Sequence, residues 1–451
     1  MLPGCSQDIS QPNIVFIMSD DLGYGELGTY GQQSIKTPNL DRLAREGMRF
    51  TQHYAGSTVC APSRCSFITG LHTGHTHVRG NMKTPPIGQL PLPEGTFTLP
   101  GMLKDVGYRT GLIGKWGLGG PESTGAARKQ GFDYFFGYLD QSHAHNYYPE
   151  FLFRNEERIP LEGNVLPEPK REDGAGVAIE KSQYSHDLFI QEALAFIEKN
   201  KGGPFFLFLA LTIPHANNEA RNEGMEVPSF GEYETEDWPE QEKGKAAMIS
   251  RMDEGIGQVM RKLRSAGIDH NTLVFFTSDN GPHREGGADP SFFSSSGPLR
   301  GIKRDLYEGG IRVPLLVRWP GKIRAGSESQ HVSAFWDYLP TFAELTSRGE
   351  IRNTDGISFL PALLGDPANQ SNHEFLYWEF HERGSKQAVR LGNWKGIRDL
   401  QEGRTELYNL KDDPGESADI SGKHPEVVKK IEDIMDAART PSEFWPMTPG
   451  S

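Results

Sequence analysis

Short, wholly apolar runs separated by amphipathic stretches constrain this chain more than any other feature. Residues 13–18, Asn-Ile-Val-Phe-Ile-Met, follow a brief polar lead and carry no alternating polar positions. Such a run marks a strand buried on both faces. Residues 108–113, 205–212, 273–277 and 313–319 repeat the pattern. Helical periodicity lies between several of them. One helix opens at Thr37-Pro38 and runs to about Gly47, with Leu40, Leu43 and Ala44 on one face; others cover 186–199 and 245–266, the last stopping at Gly267. Apolar strands alternating with amphipathic helices predict an α/β fold: a large, mainly parallel, doubly wound sheet flanked by helices.

The texture changes near Asn372. Residues 374–380, 387–392, 394–398 and 407–410 read as short strands, and 425–438 as an amphipathic helix. They predict a small C-terminal α+β subdomain with a short antiparallel sheet. The expected division is a lead over 1–12, a main domain over 13–371 and a C-terminal subdomain over 372–451 that contributes to a substrate pocket. Residues 160–183, charged and glycine-rich, read as an insertion loop. Residues 285–298, with Gly286-Gly287 and Ser294-Ser295-Ser296, read as a mobile active-site loop or flexible surface.

A net charge of −13 over 451 residues argues against nonspecific binding to nucleic acid or anionic membrane. An anionic substrate would need a local cationic pocket. The longest apolar run, 205–213, is too short to span a bilayer, so no transmembrane segment is expected. Three cysteines cannot build a disulfide framework, and Cys60 and Cys65 lack a nearby Cys or His pair for zinc. Leu2-Pro3-Gly4-Cys5 resembles the end of a bacterial lipoprotein signal without its basic and apolar part. The expectation drawn from it is a trimmed leader and a periplasmic or extracellular protein, lipid-anchored through Cys5 in its precursor.

Chemistry concentrates at strand ends. Asp20-Asp21 follow the first run, Lys115 the second, His215 the third and Asp279-Asn280 the fourth. Open α/β sheets bind ligands at the carboxyl ends of their strands. Three carboxylates and an amide oxygen form an all-oxygen set suited to Ca²⁺ or Mg²⁺ rather than zinc. Cys60-Ala61-Pro62-Ser63-Arg64, with Thr69-Gly70 shortly after, reads as a helix mouth: Pro62 suits the first turn, and the exposed N–H groups favour a thiolate or an anionic ligand at Cys60.

In combination these motifs resemble the type I, formylglycine-dependent sulfatases of the alkaline phosphatase superfamily, from Asn13 to about Lys411. The resemblance implies that Cys60 is oxidised to formylglycine by a maturation enzyme. It implies that Asp20, Asp21, Asp279 and Asn280 hold Ca²⁺ (alternatively Mg²⁺), with modified Cys60 completing the shell. Arg64 matches the arginine supporting the formylglycine. Lys115 in Gly114-Lys115-Trp116 and Lys303 before Tyr307-Glu308-Gly309-Gly310 match two sulfate-binding lysines. His215 after Pro214 matches the histidine beside the leaving oxygen. Cysteine itself would form a thiosulfate with no such exit. The implied activity is hydrolysis of a sulfate ester.

One position departs. The family commonly carries a histidine two residues after the first lysine, where it contacts the formylglycine as a base; here it is Gly117. His143 and His145 are the expected replacements, as base or sulfate contact. At the C-terminal subdomain, His381, Glu382 and Arg383 end a strand and are expected to touch substrate. The whole pattern resembles bacterial polysaccharide sulfatases, which implies a sulfated glycan, with a galacto-configured, carrageenan- or chondroitin-like sugar as the preferred reading. Two rivals remain open: a phosphomonoester or phosphonate hydrolase of the same superfamily, and a catalytically silent glycan-binding protein. Oligomeric state is not legible.

Overall fold

The computed structural model describes residues 11–382 and 384–448. The Cys5 and Arg383 expectations therefore lie outside the described residues. An 11-stranded sheet runs through the molecule. Its centre is β1 (Asn13–Ser19), β3 (Arg109–Lys115), β4 (Tyr134–Tyr138), β7 (Phe205–Ala210) and β8 (Thr272–Ser278). These five pair in parallel in the order β8-β1-β7-β3-β4. Their carboxyl ends consequently share one edge.

Alternate residues of β1 enter different cores. Ile14, Phe16 and Met18 pack with Phe67, Leu103 and Phe342 on one face, whereas Val15 and Ile17 pack with Leu40, Phe189 and Met252 on the other. This is why the strand is apolar at every position. Helices α2 (Cys60–Thr69), α3 (Leu99–Asp105) and α7 (Tyr338–Leu345) cover the first face; α1 (Pro38–Glu46), α4 (Ser185–Asn200) and α5 (Glu240–Ser265) cover the second. The fold is the expected doubly wound α/β sheet.

Two strand assignments needed tertiary information. The run at 313–319 is β9 (Arg312–Arg318), which pairs antiparallel with both β8 and β2 (Met48–Tyr54). Strand β2 itself, Met-Arg-Phe-Thr-Gln-His-Tyr, is half polar because it lies toward the edge, and so forms no apolar run in the sequence. The segment 285–298 is irregular, as expected, but docked: Gly25 donates its N–H to the Ser295 carbonyl at 2.8 Å, and Lys245 donates to the buried Ser295 hydroxyl at 3.0 Å.

A separate antiparallel sheet comprises β12 (Leu376–Phe380), β13 (Lys386–Leu391), β14 (Trp394–Asp399) and β15 (Arg404–Asn409). Leu376, Trp378 and Phe380 pack on Tyr54 and Trp336 of the large unit, while Tyr377, Val389 and Leu407 pack on α9 (Pro425–Ala437) through Ile431 and Met435. A buried network ties the two: Lys395 Nζ lies 2.9 Å from both Glu308 Oε1 and Glu416 Oε1. Tyr54 donates its hydroxyl to Glu308 Oε2 at 2.7 Å. Among the described residues no helix is long and apolar enough to cross a membrane.

Candidate active site

The carboxyl edge of the parallel strands gathers what the sequence scatters over nearly 300 positions. Asp20 and Asp21 leave β1, Asp279 and Asn280 leave β8, Lys115 ends β3, and His215 follows β7. Cys60 stands at the first position of α2. Ligand atoms of Asp20, Asp21, Cys60 and His215 all lie within 4.8 Å of one another, and all four residues are buried.

Each carboxylate has a cation. Lys115 donates from Nζ to Asp20 Oδ2 at 2.7 Å, and Lys303 donates from Nζ to Asp21 Oδ2 at 2.7 Å. Arg64 donates from Nη2 and Nε to Asp279 Oδ2 at 2.8 and 3.2 Å, and from Nη1 to the Lys115 carbonyl at 2.8 Å. Arg64 thus fixes the mouth of α2 to the ends of β3 and β8. Ser63 adds a second tie, donating its hydroxyl to the Asp279 carbonyl at 2.5 Å. Asn280 donates from Nδ2 to Asp21 Oδ1 at 2.7 Å, and the Asp21 N–H donates to Asp279 Oδ1 at 3.1 Å.

These contacts leave oxygens over. Asp20 Oδ1 and Asn280 Oδ1 are buried and have no hydrogen-bond partner. Burial and then the Asp20 charge push the Asp279 carboxyl up to about 7. Burial alone would raise Asp20 too, but Lys115, His215 and Arg64 hold it well below the usual carboxylate range. Three fixed cations against three carboxylates leave this shell neutral, so it attracts an anion only after gaining positive charge. The orphaned hard oxygens fit a divalent cation held by Asp20, Asp21, Asp279 and Asn280.

His215 is held in one tautomer. Its Nδ1 lies 2.7 Å from the Ala216 carbonyl, so Nδ1 carries the proton and Nε2 accepts from Lys303 Nζ at 3.0 Å. Burial, then the Lys303 charge, drive its pKa down to about 3. At Cys60, burial outweighs the Lys115 charge and pushes the thiol up to about 12. The helix mouth therefore does not produce the thiolate that its N–H groups suggest, because desolvation wins.

Several side chains join that the sequence reading left out. Glu285 Oε2 accepts from Lys303 Nζ at 3.2 Å, and Glu285 Oε1 accepts from Arg304 Nη1 at 2.5 Å. Arg304 also donates from Nε to Glu382 Oε2 at 2.9 Å, connecting the small sheet to the site. The sequence signal for Glu285 was its place five residues beyond Asn280, within the loop read as flexible. Glu382, for which a substrate contact was expected, pairs with Arg304. His381, also expected to touch substrate, is tied within the small sheet: its Nε2 is 3.0 Å from Glu379 Oε1 and its Nδ1 3.2 Å from Ser385 Oγ.

The histidine replacements also separate. His143 is fully buried, edge-on to Tyr138 and beside Phe151, with neither ring nitrogen paired. It is a core residue, and the expectation that it faces the sulfate or acts as a base fails on geometry. His145 stacks on His215 with ring centroids 4.6 Å apart, and its Nδ1 lies 3.3 Å from Glu219 Oε2. It supports the His215 ring rather than filling the space over Gly117. That space holds Gln141 instead.

A profile of the sulfatase family matches residues 12–348, three quarters of the chain. The chain belongs to the sulfatase family. As a sulfatase it is a sulfuric ester hydrolase of the alkaline phosphatase superfamily. A second profile, the C-terminal region of N-sulphoglucosamine sulphohydrolase, matches residues 302–440. The N-acetylgalactosamine-6-O-sulfatase of Bacteroides thetaiotaomicron is 27% identical over 98% of this sulfatase and 97% of its own length. The N-acetylgalactosamine-6-sulfatase of Canis lupus familiaris is 31% identical over 97% of this chain and 82% of its own. The solved structure of Ps i-CgsB in complex with k-i-k-neocarrahexaose superposes with a TM-score of 0.78 at 28% identity, covering 95% of this chain and 92% of that one.

Proposed function

We propose that this sulfatase removes sulfate from a sulfated, galacto-configured carbohydrate, working through formylglycine made from Cys60 by a maturation enzyme. The observation that carries the reading is the orphaned pair of buried oxygens, Asp20 Oδ1 and Asn280 Oδ1, beside Cys60 at the shared edge of the parallel strands. A divalent cation bound there, Ca²⁺ or alternatively Mg²⁺, supplies Lewis acidity, and the hydrated aldehyde supplies a hydroxyl nucleophile.

The chain's own residues do the remainder. Lys115 and Lys303 stand on opposite carboxylates of the cluster, so a sulfate ester seated between them meets a cation on two sides. Arg64 orients residue 60 by pinning the first turn of α2. The leaving alkoxide needs a proton, and the Lys303–His215 pair holds one between Nζ and Nε2 at the site's floor. Tyr147 fixes the backbone of this element by donating its hydroxyl to the Thr212 carbonyl at 2.9 Å.

Substrate choice rests on different support. Both curated relatives are named for N-acetylgalactosamine 6-sulfate, and the solved neighbour carries a neocarrahexaose. Glu285, Arg304 and Glu382 offer charged partners for sugar hydroxyls at the mouth. Glycans of this kind are extracellular polymers, which agrees with a periplasmic or extracellular enzyme anchored through Cys5.

The test is sulfate release from a panel of 6-sulfated N-acetylgalactosamine saccharides, chondroitin oligosaccharides and carrageenan oligosaccharides, using protein co-expressed with a maturation enzyme. Release from galacto-configured members, and not from gluco-configured controls, is the expected result. Glycan binding without release from fully matured protein would favour the silent glycan-binding rival.

A further inference from the structure

Gly117 stands two residues beyond Lys115, with φ of +78°. A side-chain carbon added there would lie 2.5 Å from Gln141 Nε2 and 3.2 Å from its Cδ. Gln141 therefore occupies the volume that any larger residue at 117 would need. The amide arrives by topology. Strands β3 and β4 are parallel neighbours, Lys115 pairs in register with Tyr138, and Gln141 follows β4 by three residues at the same carboxyl edge.

The turn that carries it is fastened on both sides. Asp140 Oδ1 accepts the N–H groups of Ser142 at 2.7 Å and His143 at 3.2 Å, and Asp140 Oδ2 accepts the Gly88 N–H at 2.8 Å. Gln141 is 8% exposed, yet its Nε2 has no hydrogen-bond partner. An amide donor buried without an acceptor is costly, and such a group persists where something else supplies the acceptor.

We propose that Gln141 is a sulfate-contacting residue: its side-chain amide donates to an oxygen of the bound sulfate ester, from the space that the family's histidine takes. The inference rests on the sulfate ester reading of the site. A neutral amide donates a hydrogen bond but takes no proton, so this position positions the substrate and the base lies elsewhere. The glycine and the glutamine are one solution: Gly117 without a side chain is the condition for Gln141 to reach the site.

The test is affinity for inorganic sulfate, measured by calorimetry at matched ionic strength with Ca²⁺ present, on the chain with Cys60 unconverted. The parent, Gln141→Ala, Gln141→Glu and Gly117→Ala are compared, with melting temperature followed in parallel. Loss of one hydrogen bond to a charged ligand predicts about tenfold weaker sulfate binding for Gln141→Ala. The isosteric Gln141→Glu is expected to lose more, through repulsion. Gly117→Ala pushes the amide aside and is expected to match Gln141→Ala, with the double variant no weaker than either single one. Melting temperature stays level or rises for Gln141→Ala, since an unpaired buried donor is removed. Sulfate binding by Gln141→Ala equal to the parent's overturns the assignment while leaving the sulfatase reading intact. A parent that binds no sulfate overturns the assignment, and the sulfatase reading falls separately if the matured chain releases no sulfate from an aryl sulfate.

Discussion

Lys303 is the side chain on which the site's charges converge, touching Asp21, Glu285 and His215 at once. Lys303→Ala is expected to lower kcat by about 10²–10³, the size found when one preorganised donor is removed from a charge-developing site. The drop should be smaller for a substrate whose leaving group needs no proton; an equal loss with a good phenol leaving group would contradict the role at the leaving oxygen. His145→Ala should cost about tenfold in kcat by loosening the His215 ring, whereas His143→Leu should leave turnover unchanged. Steady-state kinetics on the two variants decides it. At this scale the sequence showed the acids, the lysines and Cys60 because each sits at a strand end or in a fixed-spacing motif. It did not show Glu285, Arg304 or Gln141, whose value comes from neighbours remote in sequence: Glu382 for Arg304, Gly117 for Gln141.

Elements are held together by the buried Lys395–Glu308–Glu416 group. Burial and then Lys395 set the Glu308 carboxyl, which ends low at about 2, while burial leaves Glu416 up at about 7. Lys395→Met strands two carboxylates in the interior and is expected to cost about 3–5 kcal/mol in denaturant unfolding. Adding Glu308→Gln and Glu416→Gln should recover part of that; no recovery would show that packing, not charge, is lost. The four small strands were legible because Tyr377 and Trp378 alternate between α9 and the large unit. Strand β2 was not, since its partly buried positions, Arg49, Thr51 and Gln52, are polar and break the apolar run, and its pairing with β9 is set by the whole sheet.

For the whole molecule, buried histidines set the acid limb of stability. Burial lowers His53, His143 and His215 to about 3 and His72 and His186 to about 4, from an ordinary 6.5. Below pH 6.5 the unfolded chain takes up protons that the folded chain refuses, so stability falls as pH drops toward 4. Burial-raised carboxyls oppose this: Glu416 and Asp279, at about 7, and Asp253, at about 6, hold protons in the folded chain that the unfolded chain releases, three such groups against five histidines. Melting temperature should therefore fall steadily from pH 7 to 5, and His143→Leu should flatten the slope; parallel curves for the variant and its parent would count against the buried neutral ring. A bound cation should also stabilise the fold, by about 2.7 kcal/mol at a hundredfold excess over Kd, and so raise the melting temperature, with the gain lost on chelation. The doubly wound layout was legible from apolar periodicity alone, because strands buried on both faces leave no other pattern.

In the proposed function Cys60, once converted, acts with the strand-end cluster to hydrolyse sulfate esters. The most direct measurement compares release from an aryl sulfate and an aryl phosphate by the matured chain and by Cys60→Ala, with peptide mass spectrometry confirming conversion at residue 60. The expected result is sulfate release by the matured chain, slow or absent phosphate release, and no activity in Cys60→Ala. Equal turnover by Cys60→Ala, or a preference for the phosphate ester, would contradict it.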